Sequence, residues 1–277
     1  VSADLPALAR ITGFDLTVGD LALRATVVPP AGTHAPGTVP VVVVLDGDLY
    51  AGTVAEQAEL LHRVGGLRPA VVVGVGYGRG VLANLGLRMG DLVPRPAPVV
   101  LERFPGLADP ARGADQAFRA ALLDDVLPAV CERHPEADPG PGVLLGHSLG
   151  AHFVASTLLA RPDAFSTYLA VSPSLWWDAF ELVRRVRDEL PAALAGLPDL
   201  PRVALAVGGA EQDPAGAASA GLSIEDLRAA RMVDATHDLA EALRAGGLDC
   251  PVTTYPGATH GSVFPTACYD LLQHALR

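Results

Sequence analysis

The sequence predicts an α/β fold with a mostly parallel central sheet and helices on both faces. Three observations carry this reading. Short β-branched runs recur along the chain and alternate with helical patterns. Runs such as Val41-Val42-Val43-Val44 do not alternate in polarity, as expected of strands buried on both faces of a parallel sheet. Half of the 277 residues are hydrophobic and 18% are charged, enough apolar material for a sizeable core.

The elements follow in order. Strands are expected at residues 21–28 and 39–45, joined by the turn-rich stretch 29–38, and then at 70–75, 142–145, 167–171, 202–207 and 251–255. Helical patterns lie between them at 53–63, 115–132, 149–160 and 224–245, and a last one at 266–276 closes the chain. Phe118, Leu122, Val126 and Val130 recur every four residues and mark one apolar face. Met232, Leu239 and Leu243 mark another. Segments 191–201 and 212–223 read as loops. Segment 78–113, rich in Gly, Pro and Arg, reads as an irregular insertion near the site. No linker divides the chain, so residues 1–277 are expected to form one domain, with 1–38 as an N-terminal strand region.

Composition excludes several chemistries. All 20 basic residues are arginine, so there is no Schiff-base lysine, no Ser-Lys dyad and no P-loop lysine. The formal net charge of −11 argues against a nucleic-acid partner. No apolar run approaches the ~20 residues of a membrane helix, and no secretory signal pattern is read in the chain. Cys131, Cys250 and Cys268 suggest neither a disulfide framework nor a zinc site, which favours a reducing, cytoplasmic setting. Gly74–Gly80 looks superficially like a dinucleotide loop but opens an irregular segment in mid-chain. No cofactor and no metal is expected.

The chemistry centres on Gly146-His147-Ser148-Leu149-Gly150, which matches G-x-S-x-G between a strand and an apolar helix. The glycines give space for a tight turn that lifts the Ser148 hydroxyl above the sheet edge. A serine hydroxyl needs a base. Three histidines follow the elbow at a distance. His237 and His274 sit in helical patterns, whereas His260 lies in a loop directly after the last strand, at the sheet edge where such folds gather their sites. His260 is therefore the expected base. The acid should follow strand 202–207, where Glu211 and Asp213 are both available to orient His260. Glu211 is preferred as nearer the strand end. Without either carboxylate, a Ser-His dyad would remain. The oxyanion donors are expected to be the N–H of Leu149 and that of Gly47 or Asp48, in the loop Asp46-Gly47-Asp48 after strand 39–45.

At these residues the chain resembles a known family. From about Val39 onward it is similar to the putative-esterase branch of the α/β-hydrolases, which includes esterase D-like and enterochelin (ferric siderophore) esterases. Leu45-Asp46-Gly47-Asp48 resembles the branch's L-D-G loop, and Val73-Gly74-Val75-Gly76-Tyr77 a strand ending V-G-V-G-Y. Ser172-Pro173-Ser174-Leu175-Trp176-Trp177 resembles S-P-S-x-W-W, the most specific of these motifs. Gly208–Glu211 resembles the G-x-x-E acid loop, and His260-Gly261-Ser262-Val263 the H-x-S-V loop. The resemblance implies an α/β-hydrolase fold, a Ser148-His260-Glu211 triad and an ester-cleaving enzyme without cofactor. The implied substrate is a small-molecule ester, a siderophore trilactone or a related aryl or acyl ester. Acyl transfer on the same site is the alternative activity. One segment departs. The branch's R-x-R-D-[Y/L]-T-P reads here as Arg88-Met89-Gly90-Asp91-Leu92-Val93-Pro94, without the second arginine and the threonine. Trp176 and Trp177, just past a strand end, are expected to stack on an aryl group. Arg79 and Arg88 are expected to meet its oxygens.

Overall fold

A computed structural model describes residues 6–109, 112–213 and 223–277. Eight strands form one sheet in the order β1-β2-β4-β3-β5-β6-β7-β8. They are β1 Thr12–Val18, β2 Leu21–Val28, β3 Val41–Leu45, β4 Val71–Gly76, β5 Val143–His147, β6 Thr167–Val171, β7 Arg202–Gly208 and β8 Val252–Tyr255. β1 and β2 form an antiparallel hairpin, and β2 runs antiparallel to β4. All pairings from β4 to β8 are parallel. β1 was not expected. It is an edge strand with little burial, and its Gly-containing sequence carries no apolar run.

The non-alternating run in β3 has a direct cause. Val41, Val43 and Leu45 enter the core on one face of the sheet, while Val42 and Val44 enter a second core on the other. Helix α1 (Gly47–Arg63) and the C-terminal helix Val263–Ala275 cover the second face. The first face is covered by Asp115–Ala121 and its continuation, by α6 (Leu149–Ala160), by Glu181–Leu194 and by Met232–Ala245. Burial of strands on both faces supplies the hydrophobic stabilisation of the sheet.

Several expected elements differ from those observed. Segment 78–113 is not irregular throughout: it holds α2 (Val81–Asp91) and α3 (Pro98–Arg103). Gly86 and Gly90 within α2 obscure its pattern. The helix expected over 115–132 is α4 (Asp115–Ala121) and α5 (Leu127–Arg133), joined by a π-helical stretch Leu122–Val126. Pro128 cannot donate to the carbonyl four residues before it, and the ladder shifts register there. Helix α7 (Glu181–Leu194) extends into the expected loop at 191–201, with Pro191 inside it near the C-terminal end. The long helix expected at 224–245 is two, α8 (Ile224–Ala230) and α9 (Met232–Ala245), separated by Arg231 at φ 46°. The break lets the Gln212 carbonyl oxygen accept from the N–H groups of Val233 and Asp234, at 2.8 and 2.9 Å, capping α9. The last helix, α10 (Val263–Ala275), starts three residues earlier than expected. The loop expected at 212–223 falls mostly outside the described residues.

The sheet order places the site. β3 leads to β4 on one side, whereas the chain from β5 onward builds toward the other. The crevice beyond the C-terminal ends of β3 and β5 is therefore the topological switch point, where open α/β sheets bind ligands. Backbone crowding there sets a stability test. A Cβ on Gly146 would lie 2.4 Å from the carbonyl carbon and oxygen of Gly150, and backbone cannot yield as a side-chain tip can. Gly146→Ala is expected to lower the unfolding free energy by about 3 kcal/mol in urea titration. Gly86→Ala, facing open space within α2, is expected to raise it by up to about 1 kcal/mol.

Candidate active site

Ser148 stands between β5 and α6 with φ 61° and ψ −120°, a conformation rarely adopted by a residue with a side chain. Two backbone bonds hold this strain in place. The Ser148 N–H donates to the Val171 carbonyl at 3.0 Å, and the Ser174 N–H donates to the Ser148 carbonyl at 3.1 Å. The turn exposes the hydroxyl at the N-terminus of α6, whose first N–H groups have no acceptor within the helix.

Three elements converge on this hydroxyl. His260, from the loop after β8, brings Nε2 to 3.0 Å from Ser148 Oγ. Its Nδ1 lies 2.6 Å from Glu211 Oε2. Glu211, from the loop after β7, is 3% exposed. Its other oxygen accepts from the Gly208 N–H at 2.7 Å and from Ser172 Oγ at 2.5 Å. A buried carboxylate is costly unless its lone pairs are satisfied, and here three donors satisfy it. Asp213 is exposed, two residues farther from β7. The structure thus joins Glu211, not Asp213, to His260.

A second set of rings packs behind His260. The His147 ring lies 4.5 Å from that of His260, and His147 Nδ1 shares a 2.8 Å hydrogen bond with the Tyr50 hydroxyl. Tyr50 in turn stacks on Phe264 at 4.0 Å. Burial, helped by the adjacent His260 and Arg88, holds His147 well below the usual histidine range. Burial, then the nearby Asp46, pushes the Tyr50 phenol up to about 12. Both groups are therefore neutral near pH 7.

A cavity of about 440 Å³ opens on Ser148 and His260. Asp46, Asp48, Leu49, Tyr50, Arg79 and Arg88 are among its lining residues. Of the expected oxyanion donors, Gly47 and Asp48 open α1 and Leu149 opens α6, so their N–H groups lack partners within the helices. A Cβ on Gly47 would fall 2.3 Å from the Gly74 carbonyl carbon, so only glycine lets this turn lie against β4.

The expected binding residues divide. Arg79 and Arg88 both line the cavity, but the Arg88 fork is occupied: its Nε and one terminal nitrogen donate to the two Asp46 oxygens, each at 2.7 Å. Trp176 and Trp177 do not line it. Trp177 is 1% exposed and packs with Val93 and Leu149, and its indole N–H donates to the Pro94 carbonyl at 2.6 Å. Trp176 covers it, 5.7 Å from the Phe104 ring. The pair forms a small apolar cluster with Val93, Leu149, Met89 and Leu107, in which Trp177 is buried and Trp176 partly exposed. Sequence reasoning missed Ser172, Tyr50, His147 and the Asp46–Arg88 pair. Ser172 lies within a recognised motif, and His147 within the elbow itself, but nothing in either signals a partner.

Similarity to known proteins extends over most of the chain. The family model described as "Putative esterase" matches residues 23–253. The ferri-bacillibactin esterase BesA of Bacillus subtilis (strain 168) is 29% identical over 254 residues, covering 90% of this chain and 80% of its own. A siderophore enterobactin esterase of Emericella nidulans is 32% identical over 163 residues, 56% of this chain and 54% of its own. Among solved structures, the siderophore hydrolase EstA of Aspergillus nidulans superposes with a TM-score of 0.80 at 23% identity, over 96% of this chain and 93% of that one. The BES protein of Bacillus cereus gives 0.80 at 23%, over 97% and 96%. These two show the α/β-hydrolase fold. With the family match spanning most of its length, the chain belongs to the putative-esterase family and is a carboxylic ester hydrolase of the serine type.

Proposed function

We propose that Ser148, His260 and Glu211 are the catalytic triad, and that the physiological ester belongs to a siderophore, as the names of the relatives suggest. The observation that carries the triad is the continuous chain of hydrogen bonds, Ser148 Oγ to His260 Nε2 and His260 Nδ1 to Glu211. Ser148 Oγ attacks the ester carbonyl carbon while His260 Nε2 takes its proton. The N–H of Leu149 and that of Gly47 or Asp48 receive the developing oxyanion. The alcohol leaves with the proton from His260, giving an acyl-enzyme. Water, deprotonated by His260, then releases the acid and restores Ser148.

Glu211 fixes the His260 tautomer and stabilises the imidazolium. The neutral state of His147 serves the same step. A charged ring stacked 4.5 Å away would oppose protonation of His260, and the neutral His147 does not.

A fluorophosphonate probe is expected to label the wild-type protein, and Ser148→Ala to abolish labelling; retained labelling moves the nucleophile elsewhere. Glu211→Gln is expected to depress kcat by ~10³-fold or more, with Asp213→Asn within a few-fold of wild type. The reverse order would transfer the acid role. Arg88→Met leaves Asp46 unpaired in a partly buried site and is expected to cost about 3 kcal/mol in denaturant titration. Arg79→Gln, at an exposed position, is expected to stay within about 0.5 kcal/mol.

A further inference from the structure

We propose that the cavity selects esters of low charge, with Leu49 and Leu85 setting that selection, so that polyanionic esters are turned over poorly. This rests on the assignment of Ser148 as nucleophile and goes beyond the siderophore reading, since it predicts which charge state of such a substrate is cleaved.

The ionic groups lining the cavity already satisfy one another. Arg88 gives its fork to Asp46. The Asp48 carboxylate accepts from the N–H groups of Tyr77 and Gly78 and from Asn84 Nδ2 at 3.0 Å, so it is held across the mouth of the loop between β4 and α2. Two carboxylates, Asp46 and Asp48, stand against two guanidiniums, Arg79 and Arg88. Their formal charges cancel, and Glu211 adds a negative charge behind His260. Among the described lining residues, Arg79 is the guanidinium without an ion pair. One exposed arginine offers a contact for a single negative oxygen. It does not create the focused positive field that a polyanion needs. The net charge of −11 opposes such a ligand from a distance as well.

The apolar side of the cavity points the same way. Leu49 is 60% exposed and Leu85 41% exposed, and both line the same opening beside Tyr50 and Tyr77. Leu49 sits in the first turn of α1 and Leu85 in the second turn of α2, and both side chains are solvent-accessible at the cavity mouth. Gly90, farther along α2, is buried and brings no charge to the site; its carbonyl accepts from the Ala114 N–H at 2.8 Å. Uncharged aryl or alkyl surface between the two leucines is what this lining would cover.

The test uses 2-naphthyl butyrate and its 3,6-disulfonate, each kcat/KM divided by the hydroxide-catalysed rate. The neutral ester is expected to exceed the disulfonate by about tenfold or more, with added salt narrowing the gap as repulsion is screened. Leu85→Arg should raise the disulfonate rate by about three- to tenfold, whereas Leu85→Gln should not. Equal rates for the two esters, or a disulfonate rate that falls with salt in the wild type, overturn the proposal. In parallel, a catecholate trilactone is compared iron-free and as its trianionic ferric complex, and the iron-free form is expected to be cleaved faster. If neither trilactone is cleaved while the naphthyl pair behaves as expected, the siderophore reading fails and the charge selection stands. A faster ferric complex overturns the selection and leaves the siderophore reading intact.

Discussion

The tight backbone packing around Ser148 is the constraint on which the rest of the site depends. Gly146 lies against Gly150 with no room for a Cβ, and Gly47 lies against Gly74 in the same way one strand over. These two close approaches bring the starts of α6 and α1 to the same edge of the sheet, where β3 and β5 diverge. A nucleophile and the backbone donors for its oxyanion then come from neighbouring strands. Neither depends on a long loop being held in place, so the geometry exists before any substrate arrives.

The acid and base come from the far side of the crevice, and their positioning is of another kind. Side chains hold them. Glu211 is fixed by Ser172, itself at φ 49°, and by the Gly208 N–H. His260 is fixed at one nitrogen by Glu211 and across its ring by His147. Backbone packing aims the nucleophile, and a network of buried polar groups aims the base. Such a network is cooperative. Without the Ser172 hydroxyl, a buried carboxylate oxygen is short of a donor, and that desolvation penalty exceeds the net value of one hydrogen bond.

Much of this was legible in the sequence, and the limits have physical reasons. β3 was legible because four consecutive valines suit a strand covered on both faces. The elbow was legible because glycine spacing, strand and helix all agree. Helix α7 was not, because Pro191 reads as a stop although the helix continues past it to Leu194, and because its arginines mask the stripe Leu182, Val186, Leu190. The tryptophans were not separable by sequence, because an indole just past a strand end looks the same whether it faces ligand or core. The Asp46–Arg88 pair joins residues 42 apart, and no local pattern announces it. Sequence alone therefore sends Arg88 to a substrate, when its partner is the loop beside the nucleophile.

The Gln212 cap has a consequence for motion. Its amide oxygen holds the first turn of α9, while the residue before it in the chain is the buried Glu211. Fraying of that first turn and loosening of the acid loop are thereby linked through a single side chain. Local opening in proteins occurs in contiguous units of this sort. The amide protons of Val233 and Asp234, remote from the cavity in sequence and on another helix, report through their exchange rates on how firmly the carboxylate is kept in place.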